Sequence, residues 1–265
     1  MKYICLDTNI YLDAIFDRHQ NQYSEIINAI IELLDNNIIR IILPETIEME
    51  FLRHYKEEVS TIRRNINEVK KYVEDMAYPI ELREYREKTI NSLNDMNCNF
   101  KEKGYSFDTT KIHKIFNHEN TTKIKLSENI LLSSYKRSFL KRKPNYDNFL
   151  SGDNSIVESL IYFSKEKRNK IEIDFLTRNY KDFGSNKNNK DKIHEDLAEE
   201  FKENNINYVY DILEYLHKLD KVKNINTLPE TDKREYFVIC PRCKYMGQSE
   251  WINECPKCGY IWVED

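Results

Sequence analysis

The sequence predicts an α/β protein: a mostly parallel sheet with helices around it, a helical insertion in the middle, and a small C-terminal β module. Three observations carry this. Short apolar, β-branched runs alternate with segments of helical periodicity, the pattern of strands joined by crossover helices. The 265 residues include 5 Gly and 6 Pro and are 40% hydrophobic and 32% charged, a composition that favours helices over β sandwiches or disorder. The first apolar run stops at an acid, Asp7, where open α/β sheets place their ligand crevices.

Residues 2–6 read as the first strand. From about Ile10 to Leu34, apolar residues recur at helical spacing, clearest at Ile26, Ile27, Ile30, Ile31 and Leu34. Two helices joined near Arg18 to Gln22 are expected. Ile38 to Leu43 is short and β-branched, a second buried strand. Pro44 then opens a helix, with Glu45, Glu48 and Glu50 in turns where acids suit the helix dipole. From about Leu52 to Lys103 the pattern is long, polar and helical, broken at Tyr78-Pro79. It reads as a hairpin of two long helices. Shorter helices are expected around 109–117 and 127–140, with turns at Gly104 and Asn117 to Thr122. The whole interval 53–144 reads as an insertion standing on the main sheet.

After Pro144 a loop leads to Ser151-Gly152-Asp153 and a helix with the stripe Ile156, Val157, Leu160 and Ile161. Ile171 to Thr177 is a further strand, followed by the loop Arg178 to Phe183. A helix around 193–204, a strand Tyr208 to Tyr210 and a helix around 211–219 close a domain spanning 1–219. Residues 220–234 read as a polar linker to a module over 235–265.

The net charge of −4 announces no polyanion partner, so any nucleic-acid contact needs a local basic patch. The most basic run supplies Lys136, Arg137, Lys141, Arg142 and Lys143, interleaved with Tyr135 and Phe139. Lys and Arg with aromatic neighbours suit the phosphates and bases of single-stranded RNA. A solvated helix face is the plainer reading of the same run. No apolar run approaches the ~20 residues of a membrane span, and no signal peptide is expected at the start. The expected location is the cytoplasm, without membrane partners.

Four acids are placed to converge if the sheet is parallel. Asp7 ends the first strand, Glu50 shares a stripe with Ile47, Phe51 and His54, Asp153 opens its helix, and Asp182 follows the strand at 175–177. Like charges ~4 Å apart repel by about 4 kcal/mol at an effective dielectric of about 20. Such a cluster binds divalent cations or takes up protons. Each acid also has a simpler reading. Asp7 with Asn9, and Asp153 after Gly152, are natural helix caps. Periodicity does not choose between Glu48 and Glu50, and Asp174 and Asp191 compete with Asp182.

The segments Leu6-Asp7-Thr8-Asn9, Pro44 to His54, Gly152 to Glu158 and Phe175 to Phe183, in this order, resemble the PIN-like nuclease superfamily, in particular its larger members with a helical insertion. The resemblance covers roughly 1–52 and 145–215. It implies metal-dependent hydrolysis of RNA phosphodiesters with Mg²⁺ or Mn²⁺. It makes Asp7, Glu50, Asp153 and Asp182 the catalytic and metal-binding quartet, with Asn9, Thr177 and Asn179 in support. Glu158 is an auxiliary candidate. A structure-specific DNA nuclease and a non-catalytic RNA- or protein-binding scaffold are the competing readings.

Six cysteines are present, and four form two Cys-x-x-Cys pairs, Cys240/Cys243 and Cys255/Cys258. Two tight turns that each aim two thiolates at one point match tetrahedral Zn²⁺. Tyr236, Phe237, Val238, Trp251, Tyr260 and Trp262 would form the small core around it. The module resembles a zinc ribbon, with a structural zinc whose binding supplies the folding energy. The ribbon would hold RNA, hold a protein partner or dock on the main domain, and the helical insertion is a second candidate contact for a protein partner.

Overall fold

The computed structural model describes residues 1–16, 22–77, 79–102, 107–144, 152–223, 237–239 and 246–248. Internal contacts divide the chain into Met1–Thr227 and Leu228–Asp265.

In the first unit, β1 (Lys2–Leu6) is the central strand of a five-stranded parallel sheet. On one side of it lie β2 (Ile39–Pro44) and then β3 (Thr121–Ile124). On the other lie β4 (Ile173–Leu176) and then β7 (Ile206–Val209). The order β3-β2-β1-β4-β7 reverses direction between β1 and β4. In such sheets the crevice at the strands' carboxyl ends, at this switch point, is the place for a ligand. The inner strands are the most apolar: Ile4, Cys5, Leu6, Ile41, Leu43, Phe175 and Leu176 are buried.

The helices follow the expected order. Chain runs through α1 (Thr8–Phe16), α2 (Gln22–Asp35), α3 (Glu45–Asp75), α4 (Arg83–Glu102) and α5 (Thr110–Phe116). Next come α6 (Glu128–Phe139), α7 (Gly152–Glu166), the single-turn α8 (Tyr180–Phe183), α9 (Glu195–Glu203) and α10 (Ile212–Lys223). The α3–α4 hairpin is tied by Asn97 donating to Asn67 at 3.0 Å and Arg86 donating to the Val73 carbonyl at 3.1 Å. Among the described residues no helix is long and apolar enough to cross a membrane.

Two features depart from the expectation. The turn expected at 117–122 runs into β3, an edge strand whose only buried residue is Ile124. Helix α5, just before it, buries Ile112, Ile115 and Phe116. This part of the polar interval therefore belongs to the sheet and core rather than standing on them. Edge strands leave one side to solvent, so they lack the apolar signature of inner strands. The polar stretch after α8 likewise folds into the antiparallel hairpin β5 (Gly184–Asn186) and β6 (Asn189–Ile193).

Two aromatic clusters fix the helices that carry the acids. Tyr11, Phe51 and Phe116 meet edge-to-face, with centroids 5.0 Å apart for Tyr11–Phe116 and 5.6 Å for Phe51–Phe116. They lock α1, α3 and α5 together and hold Glu50, the neighbour of Phe51. Phe175 meets Phe183 at 5.0 Å and Phe201 at 6.4 Å, which holds Asp182 beside Phe183. Each such ring pair adds about 0.5–1.5 kcal/mol beyond its burial.

In the second unit, β8 (Phe237–Ile239) pairs antiparallel with β9 (Met246–Gln248). Cys240, Cys243, Cys255 and Cys258 lie outside the described residues, as do Tyr236, Trp251, Tyr260 and Trp262.

Candidate functional site

Asp7 sits at the switch point, one residue past β1, and is 2% exposed. Its backbone N–H donates to the Leu176 carbonyl at 2.9 Å, so β4 continues the sheet beside it. Thr177, one residue past β4, donates its hydroxyl to Asp7 Oδ2 at 2.6 Å. The Asn9 side chain and the Thr8 backbone N–H also bond Asp7. A buried carboxylate needs such donors. They do not fully offset its environment: burial first, and then the charge of Glu50, push its pKa from 3.8 up to about 6.

Glu50 reaches this point from α3. Thr8, at the start of α1, donates to Glu50 Oε2 at 2.9 Å, and Arg53 Nη2 lies 4.0 Å from Oε1. Its rival Glu48 turns the other way and pairs with Lys123 of β3 at 2.9 Å. Of the two, Glu50 is the one on the α3 face that meets the sheet end.

Asp182 joins through a polar relay. Asn179 Nδ2 donates to Asp182 Oδ2 at 2.8 Å, and the Asn179 backbone N–H donates to Thr177 Oγ1 at 2.9 Å. Thr177 thus bonds both Asp7 and the loop that orients Asp182. Asp174 is placed elsewhere: it is buried within β4 and bonded by Lys2, Asn207 and Tyr215. Asp191 is exposed on β6.

Asp153 lies in the first turn of α7, next to Gly152. A Cβ added to Gly152 would fall inside the Glu50 carboxylate. The bare glycine lets the start of α7 approach Glu50. Gly152→Ala is accordingly expected to displace Glu50 or α7 and to lower activity by about tenfold or more. A 1 Å misplacement can cost still more. Thermal melting, checked in parallel, should change little.

The structure brings Asp7 and Glu50 side by side, links Asp182 through hydrogen bonds, and sets Asp153 one residue from the Gly152–Glu50 approach. Among the described residues no three His, Cys, Asp or Glu side chains stand together as a ready metal cage. The donors are nevertheless hard oxygens, and Asp7 carries an offset that a nearby cation would remove. Mg²⁺ needs only one or two carboxylates, completing its shell with waters and substrate phosphates. The pair therefore fits such an ion.

Beside the pair opens a cleft of about 360 Å³, lined by Asn9, Asp13, Arg178, Tyr180, Lys181 and Tyr210. Lys190 lies over the rings of Tyr180 and Tyr210, at 4.9 and 5.9 Å from their centroids. None of Thr8, Asp13, Arg53 or Tyr210 was singled out from the sequence. Thr8 stands inside the Leu6-to-Asn9 motif. Asp13 follows Asn9 by four residues and so shares its helix face, a signal that was legible.

The basic run divides. Lys136, Lys141 and Arg142 are exposed, and Lys143 donates to the Lys181 carbonyl at 2.8 Å, at the rim of the cleft. Arg137 overturns the expectation of an RNA contact. It is 4% exposed and is held by Glu158 and Glu200, each at 2.7 Å, and by the Lys143 carbonyl at 2.9 Å. On α6 it shares the inner face with Ile130, Ser134 and Ser138. Glu158 is thereby committed to Arg137.

A family model described as a PIN domain matches residues 4–183. The chain belongs to the PIN domain family. PIN domains are generally nucleases, so this chain carries a nuclease-type fold. The matched span starts within β1 and runs through α8, and so includes all four acids and β3. No curated protein and no solved structure matches the chain. In this PIN domain the acids lie where a parallel sheet's strand ends and helix starts meet.

Proposed function

We propose that this PIN domain is a metal-dependent endoribonuclease acting on single-stranded RNA. The observation that carries the reading is the Asp7–Glu50 pair at the switch point, with Asn9, which bonds Asp7, lining a cleft that also holds Arg178, Lys181 and two tyrosines. Asp7 and Glu50 would hold Mg²⁺ or Mn²⁺, with Asp153 and Asp182 acting on its waters. A bound ion of this kind supplies an activated water and neutralises charge on the phosphate. Thr177 and Asn9 fix the Asp7 carboxylate, and Thr8 fixes Glu50. Asn179 orients Asp182. Arg178 and Lys181 receive phosphate oxygens, while Tyr180 and Tyr210 offer faces to unpaired bases. In the reaction, a water gives up one proton as its oxygen bonds to phosphorus, the bond to the leaving sugar oxygen breaks, and that oxygen takes up a proton.

A panel of labelled single-stranded RNA and DNA of one sequence, with Mg²⁺, Mn²⁺ or EDTA, tests this. RNA is expected to be cut internally with either metal and left intact in EDTA. Cutting of DNA alone would replace the substrate. Absence of cutting on every substrate would favour a binding scaffold.

For the C-terminal unit, the cysteine spacing supports a structural zinc at Cys240, Cys243, Cys255 and Cys258, and the unit would serve as a contact for RNA or a protein. Elemental analysis of purified protein is expected to find stoichiometric zinc, lost in a Cys240→Ser, Cys255→Ser variant. Four thiolates leave no open position for catalysis.

A further inference from the structure

A second cavity of about 480 Å³ is lined by residues of α3, α6 and α7. Thr46, Met49, Glu50, Arg53, Leu126 and Leu131 are among its lining residues. Its volume falls in the range of small-molecule sites, about 300–1,000 Å³. We infer that this cavity receives one unpaired nucleobase next to the scissile phosphate, and so sets a nucleotide preference at the cut. The inference rests on the nuclease reading of the Asp7–Glu50 pair.

Three observations point to that occupant. First, Glu50 belongs both to the acid pair and to the cavity wall. A chain whose phosphate sits at the acids therefore has its neighbouring nucleotide at the mouth. Second, Met49, Leu126 and Leu131 give the walls their apolar surface, Ser134 and Ser138 line it with hydroxyls already bonded within the domain, and Arg53 stands 4.0 Å from Glu50. An uncharged planar heterocycle suits such walls, and Arg53 suits the phosphate attached to it. Third, Thr46 is 8% exposed, and its Oγ1 has no hydrogen-bond partner among the described residues. A buried hydroxyl normally has one. The edge of a base, with donors and acceptors, supplies it. The strand would thus cross the acids between two unlike recesses, one cationic and aromatic, the other largely apolar with the unpaired Thr46 hydroxyl.

Abasic scanning tests the inference. Single-stranded RNAs carrying one abasic ribose, stepped across the cut position, are cleaved in Mn²⁺ by the wild type, Leu131→Trp and Thr46→Val. Leu131 is 44% exposed, so an indole there fills the cavity without entering the core. At one position adjacent to the cut, loss of the base is expected to lower wild-type kcat/KM by about tenfold or more. That penalty should shrink to about twofold or less in Leu131→Trp and be reduced in Thr46→Val. A wild type indifferent to every abasic position overturns the pocket, as does a penalty undiminished in both variants. Should no RNA be cut at all, the nuclease reading fails separately, and binding decides the pocket. A 2-aminopurine strand whose fluorescence changes with wild type and not with Leu131→Trp supports it. No change with the wild type overturns it.

Discussion

Asp7→Asn is expected to lower RNA cleavage by about a thousandfold or more while making the metal-free protein more stable. The first effect follows from charge. The carboxylate is the most buried of the four acids and stands at the switch point, held by Thr177 at 2.6 Å. An amide keeps the shape and can still accept from Thr177, but it cannot hold a divalent ion as an anion does. A thousandfold loss corresponds to about 4 kcal/mol of transition-state stabilisation, within what a bound ion supplies. The second effect follows from proton linkage. The folded-state pKa of Asp7 is raised to about 6, above its unfolded value of 3.8. Between these values the folded chain binds more protons than the unfolded one. Stability of the metal-free wild type therefore falls as pH rises from about 4 to about 6, and stays low above that. The charged form at pH 7 costs on the order of 3 kcal/mol. Thermal melts in EDTA should show the variant above the wild type at pH 7, and the gap should close near pH 4. Adding Mn²⁺ should raise the wild type and leave the variant unmoved. A variant that cleaves at wild-type rate would remove Asp7 from the chemistry. A melting gap that persists at low pH would remove the electrostatic explanation.

Arg137→Met is expected to give the largest loss of stability, about 3 kcal/mol. Arg137 joins α6 to Glu158 on α7 and Glu200 on α9, and it lies at 4% exposure. Removing one partner of a buried ion pair costs roughly 3–5 kcal/mol when the other charge is left without compensation; here Glu158 loses its partner, while Glu200 keeps Arg142 at 3.0 Å. Both carboxylates keep some access to water, which places the loss at the lower end. For a domain of this size that corresponds to a drop in Tm of roughly 6–12 °C. Adding Glu158→Gln and Glu200→Gln to Arg137→Met should recover much of the loss, since neutral amides tolerate the same site. If the single variant melts with the wild type, the triad contributes nothing and α6 is held by its apolar face.

The two substitutions divide the polar residues along a line that the linear pattern only partly drew. Asp7 is marked by the apolar run that ends beside it and Asp153 by the helix it opens, while the choice of Glu50 and Asp182 over Glu48, Asp174 and Asp191 came from the resemblance alone. Thr177 and Asn179 come with the same motif. Arg137 was hidden because a basic run looks alike whether one of its members points in or out. Its spacing from Ile130, at i+7 on α6, carried the clue. Strand β3 was hidden for the opposite reason: Thr121, Thr122 and Lys123 are not buried, so hydrophobic burial left no mark on their identity. The hairpin β5–β6 is polar for the same reason.

Chain order and residue type alone were enough for the parallel α/β plan, the helical hairpin, the paired cysteines and the short set of acids, because buried runs and helical stripes are written locally. Which acids touch is a different kind of fact. Glu50 rather than Glu48 lies beside Asp7 because Phe51 packs with Tyr11 and Phe116 and turns that face of α3 toward the sheet. Asp182 is tied to Asp7 because β4 lies next to β1, which puts Thr177 between them. Both depend on contacts between residues far apart in the chain, and only packing of the whole domain brings those residues together.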